Sequence, residues 1–441
     1  MNIFSSRSRL ILVLFCLSAG LAAQTRSFTL TELVDAGMAN SKQLKRSATQ
    51  AAIAHAKLGQ YRDATIPTLS YTGAYSRLSE NIDPFTLELP DGTRKVLNPI
   101  IPNQFSNRWS VSEPVFTGLR ATNTIRAASY LEQAAQFDAD KDKADVRLNL
   151  LNAGLHLFRL QEIHKTAAQN LRSAQSRLAE LRNRRDQGLA LDNDVLKSEL
   201  AVAQIETAIA ETDNALSATR FALAILTGLP EQTAIEIDSA SVFAGGTDAV
   251  TLDAYLGAAA NRADLQAASA RALAAEKQLK VSKGLYFPYV SVGANLYDNR
   301  PNQRVFPPED RFKSTWDAGV TLTWNLSNLY TARHTVEEAR LNQVVSGIQT
   351  QQLSDNARTE IANAYYDWQT AQGKVSLAEK AVAQAIENQR VVEAQQTQQV
   401  ASASDLLEAD ALLLQAQINA ATVRADARSA YFKLLKSAGK L

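Results

Sequence analysis

Hydrophobic and polar residues follow two periods along the chain, one typical of long helices and one typical of strands. A seven-residue period places apolar side chains in one column at Val195, Val202, Ile209, Leu216 and Leu223. A strict repeat of this length predicts a coiled-coil seam. Over residues 316–326 every second residue is apolar, and those between are polar or glycine. This alternation predicts an amphipathic strand.

Proline separates the predicted strands from the predicted helices. Ten of the 11 prolines lie in two windows, 67–114 and 288–308. Because proline interrupts helix interiors, the stretches outside these windows are free to form long helices. One of them, from 120 to 185, contains no proline and would make roughly 100 Å of helix. In these windows and directly after them we predict four strands, at about 68–77, 108–117, 289–298 and 316–326.

The chain also repeats itself. Residues 30–67 resemble 252–288, with a final proline before each predicted strand, and residues 191–196 resemble 402–407. A repeat of this kind predicts two structural copies of one unit. Each copy is expected to contain a helix, two strands, a long helix, a turn and a second helix. The predicted division is 24–229 for the first copy, 230–251 for a linker and 252–441 for the second copy, with turns near 188 and near 400.

The first 23 residues predict a secretory signal peptide. Arg7 and Arg9 precede an apolar run over 10–17, and small residues follow up to Ala23, where we expect cleavage. The only cysteine, Cys16, lies inside this segment. We therefore expect an exported protein without a thiol, a disulfide or a cysteine-bound metal.

Charge and motifs exclude several classes of function. The 46 Lys and Arg residues nearly balance the 45 Asp and Glu residues, so the net charge gives no reason to expect a nucleic-acid partner. The four histidines show no metal-protease spacing, and no phosphate-binding glycine loop or serine-hydrolase motif is present. We expect a protein that is not an enzyme, with no catalytic residues, no cofactor and no resident metal.

The strands allow two interpretations. Four strands of about ten residues with one apolar face suit a transmembrane β-barrel. Four strands are too few to close a barrel, so closure would need other chains. The alternative is an amphipathic sheet on a soluble core, in a periplasmic coiled-coil adaptor or scaffold without a pore. An exported hydrolase is a third hypothesis, which the missing motifs disfavour.

In the arrangement of these elements the chain resembles the TolC-like outer membrane efflux protein family. The resemblance covers nearly all of the chain after the predicted signal peptide, including the strand pairs and the motifs Asp194-Val195-Leu196 and Asp405-Leu406-Leu407. It implies a mainly α-helical homotrimer with a shared 12-stranded β-barrel in the outer membrane. A long α-helical coiled-coil barrel would continue it across the periplasm, and residues 78–107 and 299–315 would form extracellular loops.

The function implied by the resemblance is that of a passive exit duct in a tripartite efflux or type I secretion system. The expected partners are further copies of the chain, outer-membrane lipid, a periplasmic adaptor and, indirectly, an inner-membrane pump of the RND or ABC type. The sequence does not identify the cargo.

The resemblance also assigns roles to residues at the two helix–helix turns. Asp405 and Glu408 match acidic residues that narrow the closed aperture, and Asp194 matches Asp405 in the first copy. Without the resemblance, these acids are a solvated helix face or a charge favoured by a helix N-terminus. The residues expected to contact the adaptor form the tip of the turns: Gly188, Leu189, Ala190, Val400, Ala401 and Ser402.

The chain departs from the family pattern at the positions that lock the tip of the best-understood relatives. Gln396 and Ala401 stand where those relatives carry a tyrosine and an arginine. Lys197 stands where a second acid would complete the first copy. We expect a closed state, if one forms, to be held by other residues.

Overall fold

A computed structural model describes residues 25–79, 81–243, 250–398 and 400–441. The predicted signal peptide lies outside these residues. The strands are β1 (Thr25–Phe28), β2 (Thr68–Arg77), β3 (Phe85–Glu88), β4 (Arg94–Asn98), β5 (Asn103–Phe116), β6 (Ala234–Ile237), β7 (Tyr289–Asn299) and β8 (Lys313–Thr323). The helices are α1 (Leu30–Asn40), α2 (Lys42–Asp63), α3 (Arg120–Asp186), α4 (Asp192–Thr227), α5 (Ser239–Phe243), α6 (Leu252–Ala258), α7 (Ala263–Lys283), α8 (Asn328–Thr331), α9 (Arg333–Thr397) and α10 (Ala403–Ser437). Among the described residues, no helix combines the length and apolarity needed to cross a membrane.

The chain forms two compact units, which do not coincide with the two predicted copies. One unit takes its described residues from Met1–Ser41, Arg147–Asp248 and Asp367–Phe432. The other comprises Lys42–Val146, Ala249–Tyr366 and Lys433–Leu441. Each unit therefore combines segments from both copies, because helices and strands of one copy pack against those of the other.

All four long strands join in one antiparallel sheet of the second unit, in the order β2-β5-β7-β8. The central pair, β5 and β7, joins the strands of the first copy to those of the second. Among the described residues, β2 and β8 each pair on one side only. The sheet is therefore open, with one unpaired edge contributed by each copy.

One face of this sheet is apolar and exposed. Residues directly opposite each other in antiparallel strands share a face, and the register places Tyr71, Trp109, Leu296 and Trp316 in one row across the sheet. The side chain of Trp316 is 76% exposed and that of Val320, further along the same face, is 71% exposed. Large apolar side chains so exposed on a sheet mark a surface that another apolar phase or partner covers.

Two strand boundaries differ from the predicted ones. β5 begins at Asn103 rather than near 108, because the mostly polar residues before Trp109 still pair with β2 up to Arg77. β8 runs from Lys313 to Thr323 rather than from 316 to 326. Its last partner is Tyr289, and Pro288 before that residue has no amide hydrogen with which to continue the ladder.

The predicted coiled-coil seam is buried between helices of the first unit. Val195 and Val202 of α4 form an apolar cluster with Leu178 of α3. Leu216 and Leu223 are also buried, and Ile209 is partly buried. The equivalent column of the second copy behaves alike: Leu406, Leu413, Ala420 and Leu434 are buried, and Ala427 is partly buried.

The two copies end their last helices in the same way. α4 ends at Thr227 and is capped by Gly228, whose φ is 74°. The side-chain amide of Asn40 donates to the carbonyl oxygens of Ile225 and Leu226 at 3.2 and 3.3 Å. After α10, Gly439 has a φ of 69°, and Arg262 donates to the carbonyl oxygen of Ser437 at 2.8 Å. Side chains from the other end of each copy thus satisfy carbonyl groups that a helix C-terminus leaves unpaired.

Candidate functional site

The first helix–helix turn is closed by backbone hydrogen bonds around Gly188. The Gly188 amide donates to the carbonyl oxygen of Arg185 and the Leu189 amide to that of Arg184, both at 2.8 Å. This pair of bonds is a Schellman motif, which needs a left-handed residue at Gly188. The φ of Gly188 is 74°. The glycine therefore lets α3 reverse into α4, and Leu189 is left 72% exposed at the turn.

The second turn repeats part of this pattern. The amide of Val400 donates to the carbonyl oxygen of Gln395 at 2.9 Å, which is the bond that Leu189 makes in the first copy. Val400 is 74% exposed, whereas Ala401 and Ala190 are half-buried. The first turn thus presents Leu189 and Leu191, which is 70% exposed, to its surroundings, and the second presents Val400.

Asp405 and Ser402 form a capping box at the start of α10. The Asp405 carboxylate accepts from both the amide and the hydroxyl of Ser402 at 2.7 Å, and the amide of Asp405 donates to the Ser402 hydroxyl at 3.2 Å. Such reciprocal bonds satisfy donors that a helix N-terminus leaves free. They also lower the pKa of Asp405 below its usual value, first through the Ser402 hydroxyl and then through its amide.

Both Ser402 bonds fall on Oδ2 of Asp405, so Oδ1 has no hydrogen-bond partner among the described residues. Asp405 and Glu408 are exposed. Asp405 can therefore cap the helix through Oδ2 and still present the charge of its carboxylate to the surroundings. The sequence predicts a charge at this helix end, and Ser402 was not recognised as its hydrogen-bond partner, although a serine three residues before an acid is a capping signature.

The first copy starts its helix differently. Leu191 occupies the cap position of α4 and makes no side-chain hydrogen bond there. Asp194, which is half-buried, has no serine partner equivalent to Ser402. Lys197 donates to the hydroxyl of Ser404 at 2.8 Å. This contact brings the start of α4 beside the start of α10; we call the candidate residues at these two helix starts the cluster at the two turns.

An ion pair that sequence analysis missed joins three helices of the same unit. Arg177 of α3 pairs with Asp410 of α10, and its guanidinium lies 3.6 Å from Glu393 of α9. The amide of Gln389 donates to Asp410 at 2.7 Å. The side chains of Arg177 and Asp410 are only 23% and 22% exposed, where an ion pair is screened less than at the surface. Partners more than 200 residues apart leave no local signal in the sequence.

The histidines do not assemble into a site. His55 lies 2.6 Å from Glu132 and His164 lies 3.1 Å from Asp213. His156 contacts Arg159, and burial lowers the pKa of His156, with the Arg159 charge acting in the same direction. Within the described ranges, no three histidine, cysteine, aspartate or glutamate side chains lie together as metal ligands would.

The structure combines an open sheet that has one exposed apolar face with long helical hairpins that have coiled-coil seams. This combination is typical of the subunits of outer-membrane channels. The sequence profile of the outer membrane efflux protein family matches residues 33–229 and 255–440, and the chain belongs to this family. The protein is thus an outer-membrane efflux channel with its helical part in the periplasm. The family does not favour the alternative of an adaptor without a pore.

Solved structures with the same fold include several outer-membrane channels. CusC superposes with a TM-score of 0.79 at 16% identity, over 94% of this chain and 93% of that chain. CmeC of Campylobacter jejuni gives 0.77 at 16% identity, over 100% and 94% of the two chains. VceC of Vibrio cholerae gives 0.75 at 18% identity, over 93% and 96%. A comparison with curated proteins finds no match.

Proposed function

We propose that three copies of this chain form the exit duct of a tripartite efflux or type I secretion system. The observation that carries this proposal is the open sheet, in which β2 and β8 each leave one edge unpaired among the described residues. Unpaired backbone groups are too costly to leave in lipid. Pairing β8 of one copy with β2 of the next, three times over, removes every edge and yields a closed barrel with its apolar face toward lipid.

Membrane fractionation and planar-bilayer recording test this proposal together. We expect the protein to remain with outer membranes after urea washing, and the purified protein to conduct ions as discrete channels. A urea-extractable protein that never conducts would contradict the duct and would restore the scaffold hypothesis.

The cluster at the two turns supplies the proposed aperture. Three copies of Asp405 and Glu408 would place six carboxylates around the axis of the assembly, with Asp194 close by. A ring of carboxylates concentrates cations, as acidic rings do in cation channels. The capping box fixes the backbone that carries this ring, because Ser402 orients the carboxylate of Asp405.

The exposed apolar side chains of the turns supply the proposed docking surface. A periplasmic adaptor would cover Leu189 and Val400, with Gly188, Ala190, Ala401 and Ser402 shaping the turns beside them, and a pump would engage the duct through that adaptor. Site-specific crosslinking from Leu189 tests this in cells that express the adaptor. Crosslinks from the exposed Leu131 of α3 but none from Leu189 would contradict it.

A further inference from the structure

The polar face of the sheet carries a continuous hydrogen-bonded row. The Ser110 hydroxyl donates to the side-chain oxygen of Asn295 at 2.8 Å, and the side-chain amide of Asn295 donates to Asp317 at 2.8 Å. The register places these three residues opposite one another on β5, β7 and β8. Tyr297 and Thr315 are opposite partners in the next row of the same face, nearer the segment that joins β7 to β8.

That joining segment, residues 300–312, folds back over the polar face; we call it the β7–β8 strap. Arg304 of the strap pairs with Asp317, and its guanidinium lies 4.2 Å from the ring centre of Tyr297. An arginine over an aromatic ring is held by a cation–π interaction in addition to its ion pair. Because Asp317 and Tyr297 both lie on the polar face, these contacts place Arg304 over that face.

A buried asparagine fixes the base of the strap. Asn302 is 2% exposed, and its side-chain amide donates to the carbonyl oxygen of Lys313 at 2.7 Å and to the hydroxyl of Thr315 at 3.1 Å. Its side-chain oxygen accepts from the amide of Arg304 at 3.0 Å. The backbone of the strap is therefore tied to β8 just before the residue that reaches Asp317.

The other long connection, residues 78–102, makes a different arrangement. It contains the β3–β4 hairpin, in which Arg94 pairs with Glu88 at 2.7 Å inside the hairpin. Both side chains of that pair are well exposed, at 74% and 66%. The Arg94–Glu88 ion pair thus lies within the hairpin, whereas Arg304 of the strap forms its ion pair with Asp317, a strand residue of the polar face.

We propose that the β7–β8 strap narrows the external mouth of the duct and that the Arg304–Asp317 pair holds it there. This inference rests on the proposed function, in which the polar face lines the lumen and 300–312 lies at the external end. Three straps would then reach inward from the barrel wall. Breaking the pair would free each strap while the buried Asn302 keeps its base in place.

Access to the lumen from outside the cell tests the strap. Thr321 lies on the polar face of β8, four residues or about 13 Å from Asp317 along the strand, and it is exposed. A Thr321→Cys change in a Cys16→Ser background gives a chain with a single thiol. We expect a bulky, membrane-impermeant maleimide added to intact cells to label it several times faster when Arg304→Gln or Asp317→Asn is also present.

The charge of the pair gives a second signature, which a general loosening of the barrel would not produce. Arg304→Gln leaves the carboxylate of Asp317 without its cation, so permeation in bilayers should shift toward cations. Asp317→Asn leaves the guanidinium of Arg304 without its anion, so permeation should shift toward anions. The double variant should label as fast as either single variant but return the ion selectivity close to that of the wild-type protein.

Arg94→Gln is the matched control, since it breaks an arginine–carboxylate pair in the other connection; we expect wild-type labelling and selectivity. Equal labelling of Thr321→Cys in all backgrounds, in protein that conducts, would overturn the strap and leave the duct intact. Selectivity shifts of the same sign in both single variants would also overturn it. If Thr321→Cys reacts in detergent but in no background reacts on cells, both the strap and the external access that the duct requires are wrong.

Discussion

At the scale of single residues, the carboxylates at the second turn are the residues that would form the proposed aperture. We expect Asp405→Asn with Glu408→Gln to reduce the cation selectivity of bilayer currents and to weaken block by divalent cations, because the proposed aperture would lose six charges while side-chain size is kept. Ser402→Ala is the matched control. It removes the cap, costing about 1 kcal/mol of helix stability, but keeps every carboxylate. Unchanged selectivity and block in an assembled double variant would return both acids to a solvated helix face.

The pKa of Asp405 gives this proposal a dependence on pH. Hydrogen bonds from Ser402 lower that pKa, so the carboxylate keeps its charge, and the cap its stabilisation, until the pH falls below the ordinary aspartate value of about 3.9. Ser402→Ala should raise the pKa, so cation selectivity should be lost at a higher pH than in the wild-type protein. Repulsion within the ring acts on both proteins alike. Identical pH midpoints in bilayer recordings would contradict the role of Ser402.

Substitutions at two glycines distinguish the effect of backbone conformation on stability from the effect of side-chain packing. A Cβ at Gly188 would meet no atom within 4 Å, but the φ of that residue is positive. Gly188→Ala should therefore destabilise the turn by about 1 kcal/mol through its left-handed conformation alone. Gly59→Ala in the last third of α2 also meets no atom and should be stabilising by up to about 1 kcal/mol. Thermal unfolding shows whether each variant lowers or raises the midpoint temperature of unfolding. Equal shifts of that temperature in the two variants would refute this account of the turn.

Residues that matter locally differ in how much of their role the sequence contains. The left-handed glycine at 188 and the acid at 405 are evident from turn and cap chemistry. Arg262 is not, because its side chain is 8% exposed and its partners are Asp264 and the distant Glu360. Although burial by itself raises the pKa of Asp264, hydrogen bonds from Arg262 hold it below its usual value. Such pairs depend on tertiary packing and carry no signal at either position alone.

At the scale of elements, the heptad of α4 makes the clearest prediction. Val202 is 8% exposed and packs in the cluster with Leu178 and Val195. Val202→Asp buries an unpaired charge there, and we expect a loss of several kcal/mol of stability. Ala203→Asp, one residue along the helix, puts the same charge at an exposed position and should cost far less. Assembly yields in membranes compare the two; equal yields would show that the heptad phase is wrong.

The sequence predicts the long, strongly periodic elements but not the short ones. The seam, the four strands and the two turns follow from hydrophobic spacing and from proline and glycine. The two strands of the β3–β4 hairpin are too short to show a recognisable alternation of apolar and polar residues. β6 and α5 lie in the stretch predicted as a linker. β1 and β6 pair in parallel across more than 200 residues, a contact that local pattern cannot reveal.

At the scale of the whole molecule, the two copies of the internal repeat form one open sheet, which a single chain does not close into a barrel. Each copy contributes two strands, the copies join through β5 and β7, and the edges at β2 and β8 remain for neighbouring chains. The sequence could predict four strands and their faces. It could not show which two strands would be the edges, because that depends on pairing between the copies.

The number of chains in the conducting particle tests the central claim most directly. Mass measurement of the detergent-purified protein, on the sample that conducts in planar bilayers, should give three copies of the processed chain and no smaller conducting species. In the proposed assembly, three copies would supply the strands that close a barrel and would pair every edge of the open sheet. A monodisperse monomer that still conducts would contradict the account, since one chain with two unpaired edges could not then be a subunit of a shared barrel.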